Sequence, residues 1–181
     1  MLLVITLAGC RITAPDDPNQ AVAQMVKYTQ KGKPEYAIKM AEDWLDKHPK
    51  DTAYKGTMYE QMAFTYLIWA SKENARKEEL IQKAVEYFEK EISVREERPV
   101  DIASYNAGRG FEIAGDLSTV NRCLYYGKAI QAFEKEAPYL QGESYTGYGK
   151  TVPLGPVRNE NEKALQRARQ KHEKAGCKAG E

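Results

Sequence analysis

Lys83-Ala84-Val85-Glu86-Tyr87-Phe88-Glu89-Lys90-Glu91 returns 45 residues later as Lys128-Ala129-Ile130-Gln131-Ala132-Phe133-Glu134-Lys135-Glu136. Six of the nine positions are identical and a seventh exchanges valine for isoleucine. The same shift sets Ala63 on Gly108, Tyr66 on Phe111 and Ile68 on Ile113. Self-similarity at a fixed period marks a duplicated supersecondary unit. Met62, Tyr66 and Trp69 follow at intervals of four and three, which is helical spacing. Small residues at Ala63, Ala84, Gly108 and Ala129 allow paired helices to approach closely. Almost no stretch alternates apolar and polar residues over strand length, so the expected fold class is all-α.

A shorter unit precedes these two. Tyr28, Gly32, Ala37 and Pro49 resemble the aromatic, turn glycine, small second-helix residue and closing proline of the tetratricopeptide repeat (TPR), a helix-turn-helix unit. Ala107 to Asp116 (AGRGFEIAGD) is similar to the first helix and turn of the same repeat. In the two later units the second-helix alanine, Ala84 or Ala129, arrives nine residues late, which predicts extended hairpins or an enlarged connection. The resemblance covers residues 18–141. It implies an antiparallel helix-hairpin solenoid of about three TPR-like units whose first helices line a partner-binding groove. On this chain the groove positions fall on Val22, Val26, Glu60, Phe64, Tyr105 and Arg109, with Asn106 adjacent on the same face. Asparagine and arginine can grip a peptide backbone or carboxylate through directed hydrogen bonds. Ordinary packing or a solvated surface is the competing role for each of these residues. The lysine and asparagine with which some members of the family clamp a C-terminal carboxylate are not reproduced in the first unit.

The two ends of the chain read differently. Met1 to Cys10 (MLLVITLAGC) holds an apolar run far shorter than the roughly 20 residues needed to span a bilayer. Leu7-Ala8-Gly9-Cys10 resembles the lipobox of bacterial lipoproteins, although no lysine or arginine precedes the run. That resemblance implies a signal peptide over 1–9, lipidation of Cys10 and a tether over 10–17. The competing reading is an apolar N-terminus packed on the domain. Arg11, rather than an aspartate, follows the cysteine, which in the enterobacterial sorting pattern favours the outer membrane. Residues 142–158 are expected to form a loop rich in tyrosine, glycine and proline, anchored by Tyr139, Tyr145 and Tyr148 or offering them to a partner. A helix from Asn159 to Lys174, with glutamates early and basic residues late, is expected to cap the last exposed face, and the final segment is assigned to 159–181.

Composition narrows the function. The 181 residues carry 27 basic and 26 acidic side chains, a balance that argues against a strongly basic nucleic-acid binder. Two histidines, His48 and His172, and three cysteines supply little for catalysis or metal binding. Neither a zinc-type spacing nor a glycine-rich phosphate loop nor a nucleophile-base pair is present, so no enzyme, metal site or cofactor is expected beyond the lipid on Cys10. Cys123 and Cys177 can form a disulfide; otherwise Cys123 is a small buried residue and Cys177 is free. The expected function is a lipid-anchored envelope lipoprotein, on the outer membrane facing the periplasm or at the cell surface. It would act as a scaffold for protein partners, as a monomer or homo-oligomer. A permanent structural subunit and a small-molecule-binding repeat protein are the alternatives.

Overall fold

The computed structural model describes residues 12–95, 103–147 and 150–178. Cys10 with the expected signal segment, and Tyr148, lie outside them. Among the described residues, seven α-helices run in series: α1 (Pro18–Gln30), α2 (Pro34–Lys47), α3 (Thr52–Ala70), α4 (Lys77–Arg95), α5 (Ala103–Leu117), α6 (Arg122–Glu136) and α7 (Leu154–Lys174). The class is helical, with helix-on-helix packing throughout. Short turns make α1–α2, α3–α4 and α5–α6 antiparallel hairpins. Each hairpin then packs on the next through α2 on α3, α4 on α5 and α6 on α7. The odd-numbered helices also touch in sequence, α1 to α3, α3 to α5 and α5 to α7.

Local chemistry explains the breaks. Asp17 caps α1 by accepting from the Asn19 N–H at 2.9 Å, and Pro18 opens that helix where no amide donor is needed. Gly32 takes φ +69 between α1 and α2, a left-handed conformation that glycine adopts without Cβ strain. Between α5 and α6 the turn is held by a carboxylate from another hairpin. Glu78 of α4 accepts from Ser118 Oγ at 2.7 Å and from the Thr119 N–H at 2.8 Å, while Ser118 Oγ accepts from the Val120 and Asn121 amides. Burial pushes the Glu78 carboxyl up, but these donors outweigh it and leave it below its ordinary value.

The duplicated segment occupies matching places. Ala84 and Ala129 are both buried, and so are Phe88 and Phe133, which reach toward α5 from opposite sides. The α5 glycines make that approach possible. A Cβ on Gly108 would meet the Phe133 ring at 2.6 Å, one on Gly110 the Phe88 ring at 2.1 Å, and one on Gly115 the Tyr126 ring at 2.5 Å. Helix α5 is thus gripped between aromatic rings of α4 and α6, and its sequence is short of side chains where the rings lie.

Three sequence expectations need correction. First, residues 142–158 are not a plain loop: after a 3-10 turn (Ala137–Leu140), strands β1 (Ser144–Gly147) and β2 (Lys150–Pro153) pair antiparallel, Ser144 facing Pro153 and Gly147 facing Lys150. The described anchors of this segment are buried Leu140 and Arg158, whose guanidinium donates to the carbonyls of Leu140 and Gly142, both at 2.7 Å; Tyr139 is exposed. Second, the last helix begins at Leu154, five residues before the expected Asn159, because Pro156 sits in its first turn, where a missing amide costs nothing. Third, residues 12–17 are not a free tether. They lie along the last turn of α2: the Ala14 N–H donates to Asp43 at 2.7 Å, Lys47 Nζ donates to the Ala14 carbonyl at 2.9 Å, and Trp44 Nε1 donates to the Asp16 carbonyl at 3.2 Å. Ala14 is buried and Ile12 packs on the core.

Candidate functional site

The odd-numbered helices bring some of the expected groove residues together and separate others. At the α3–α5 seam, Asn106 Nδ2 donates to Glu60 Oε1 at 3.4 Å. One turn along α5, the Arg109 guanidinium stands 5.9 Å from the centre of the Tyr105 ring, which itself leans on Phe133 at 6.0 Å. Arg109 is exposed, and its ion-pairing capacity is unused among the described residues. Phe64 is half-buried and meets Phe88 edge-on at 5.0 Å, so packing between α3 and α4 accounts for its position. Val22 is half-buried and Val26 exposed on α1. They stand across α3 from Tyr105 and Arg109, since α1 and α5 both flank α3.

The strongest polar cluster was not among the expected site residues. Glu112 is only 6% exposed at its side chain and receives two parallel hydrogen bonds from Arg167 of α7, at 2.7 and 2.8 Å. Lys171, one turn on, lies 2.7 Å from Glu112 and also reaches Asp116 Oδ2 at 2.5 Å. Burial pushes the Glu112 carboxyl up; the hydrogen bonds and charges of Arg167 and Lys171 outweigh it, and its pKa falls below the ordinary value. One signal was available in the sequence: a lone glutamate between Phe111 and Ile113, in the middle of an apolar run.

This cluster fastens the capping helix. Other contacts help: Asn161 Nδ2 donates to the Phe133 carbonyl at 3.0 Å, Arg169 pairs with Glu134, and Ala164 and Ala168 are buried. Gly176 then takes φ +74, and the Cys177 N–H bonds back to the His172 carbonyl at 3.2 Å. That turn delivers Cys177 to the first turn of α6, where it forms a disulfide with Cys123.

Glu112 yields a prediction. Arg167→Ala with Lys171→Ala leaves a carboxylate buried without countercharge, which costs about 3–5 kcal/mol. Arg167→Ala alone keeps Lys171 in place and costs less. Because the folded pKa of Glu112 is lowered, its contribution is present above the unfolded value and drains away as pH falls through the folded one. Urea midpoints from pH 7 down to pH 3 should therefore fall more steeply for wild type than for Glu112→Gln. Parallel curves would contradict the pairing.

Among the described residues, no three His, Cys, Asp or Glu side chains gather as metal ligands, and no helix is long and apolar enough to cross a membrane. Clefts lie at two of the turns between the described helices. One, of about 190 Å³, is lined by Thr29, Pro34, Glu35, Ile68, Trp69 and Lys72; the other, shallower, lies along residues 119–124 beside Ala175. Compared with known proteins, the chain matches no family model, no curated protein and no solved structure.

Proposed function

We propose that the chain is a lipid-anchored bacterial envelope protein, a TPR-like helical-repeat scaffold attached through Cys10, that holds a protein partner on the face made by α1, α3 and α5. The observation that carries this reading is the serial contact of the odd-numbered helices, with Arg109 exposed beside Tyr105 and Asn106 on the central seam. A row of helices stacked in register offers an extended surface built from several units. On it, a guanidinium supported by an aromatic ring has its donors available for a partner's carboxylate or carbonyl groups. The aligned burial of Ala84 with Ala129 and of Phe88 with Phe133 supports the repeat reading. Anchoring two components to one membrane raises their effective concentration for each other without further contacts.

The test is capture of the native protein from membranes in mild detergent, with intact-mass measurement of its N-terminal peptide. A diacylglyceryl mass on Cys10 and a stoichiometric partner are expected. Arg109→Glu should reduce partner recovery at least about tenfold, the size of one lost charge-assisted contact of roughly 1.5–3 kcal/mol. Lys77→Glu, placed on α4, should leave recovery intact. Equal recovery with both variants would remove the α5 face from the interface.

A further inference from the structure

Residues 12–17 do more than connect. Their fastening to Asp43, Trp44 and Lys47 leaves Arg11 as the single residue between Cys10 and the first residue described in the fold. Two residue steps span at most about 7 Å. Resting on the reading that Cys10 carries lipid, we infer that the pole of the domain formed by residues 12–17 and the His48–Thr52 turn is seated on the lipid surface, so that the domain stands in one orientation instead of swinging on a leash.

The alternation of the helices defines the two poles. Chain entry, the end of α2 and the start of α3 share the first with the end of α6, the 3-10 turn, the β-ribbon and the start of α7. The α1–α2, α3–α4 and α5–α6 turns share the second, with the end of α7 and the Cys123–Cys177 bond. Helix α3 runs between them, and its 19 residues measure about 28 Å. Of the exposed large apolar side chains, Tyr36, Ile68, Val120 and Leu124 belong to the second pole, as do the two clefts described above; Val26 and Ile113 lie along α1 and α5, and Tyr139, after α6, belongs to the first pole. Where the chain enters, the first pole offers headgroups a polar surface, with exposed Asp16, Asp17 and Lys50, while the exposed Tyr139 stands elsewhere on the same pole. It therefore rests on the bilayer without inserting, and the lipid supplies the affinity. The apolar turns are carried outward, away from the membrane.

The inference is tested with the acylated full chain in vesicles of phosphatidylethanolamine and phosphatidylglycerol that contain a headgroup-quencher lipid. A dye is placed on Lys50→Cys or, in a second protein, on Lys72→Cys. With about 28 Å between the poles, quenching at position 50 should exceed that at position 72 about fivefold. Inserting 20 Gly/Ser residues between Arg11 and Ile12 should erase the contrast, because such a linker is a flexible coil. Equal quenching at both positions in a protein whose mass shows an acylated Cys10 overturns the orientation and leaves the anchor standing. An unacylated Cys10 overturns the anchor and the orientation with it.

Discussion

Reducing the Cys123–Cys177 bond, or replacing both cysteines by serine, should lower the unfolding free energy by about 4 kcal/mol. The bond closes a loop spanning 54 residues, and the figure is the closure entropy that an unbridged unfolded chain regains. The loop contains most of α6, the β1–β2 ribbon and all of α7, so the last hairpin and its cap are joined at both ends. Urea unfolding with and without reductant measures the effect. The midpoint should fall and the slope should rise, because the unbridged unfolded chain exposes more surface. For a chain of this size the melting temperature should drop by about 10 °C. Unchanged midpoints, with free thiols found in the unreduced denatured protein, would contradict the bond.

The second large effect lies where α4 meets α5. Gly110→Ala places a methyl group 2.1 Å from the Phe88 ring, and that ring has nowhere to go. It is fully buried, edge-on to Phe64 at 5.0 Å and to Phe111 at 5.7 Å. Overpacking of this kind costs about 3 kcal/mol, beyond the roughly 1 kcal/mol that alanine returns over glycine in a helix. Phe88→Ala, which opens a cavity, should cost about 3–5 kcal/mol. In the Phe88→Leu background, Gly110→Ala should cost less than it does alone, with an interaction energy of about 1–2 kcal/mol between neighbours in contact. Gly155→Ala provides the control: it lies in the first turn of α7 with nothing within 4 Å of the added carbon. Denaturant midpoints for the set decide the matter, and additive costs at 88 and 110 would show that the helices relax apart.

The parts of the fold legible in the sequence were those written locally or twice. Lys83–Glu91 and Lys128–Glu136 announce the same helix in two places, and Gly32 and Pro49 mark the ends of the second hairpin member by their own backbone restrictions. The start of α7 was obscured because Gly155-Pro156 reads as a breaker, although proline is tolerated in a first turn. The β-ribbon is only four residues per strand, too short for alternation to stand out, and its glycines masked Tyr145, Thr146, Thr151 and Val152. The fastening of residues 12–17 was invisible for another reason. An extended segment that bonds to Asp43 and Lys47 depends on partners about 30 positions away, and nothing in its own composition reports them. The same limit explains the candidate face. Phe64, Glu60 and Asn106 lie in helices that the repeat spacing locates well, yet only the packing shows Phe64 turned to Phe88 and Glu60 joined to Asn106.

The buried Glu112 carries a consequence for the order in which the molecule is made. Both of its cationic partners are in α7, 55 and 59 positions later, so the countercharge is the last part of the cluster to be synthesised. Because Arg167 and Lys171 lie on Glu112, the helix that helps to cover the carboxylate is also the one that brings its countercharge. A chain that lacks α7 would leave the face of α6 that this helix covers open to the proteases and chaperones that survey incomplete products.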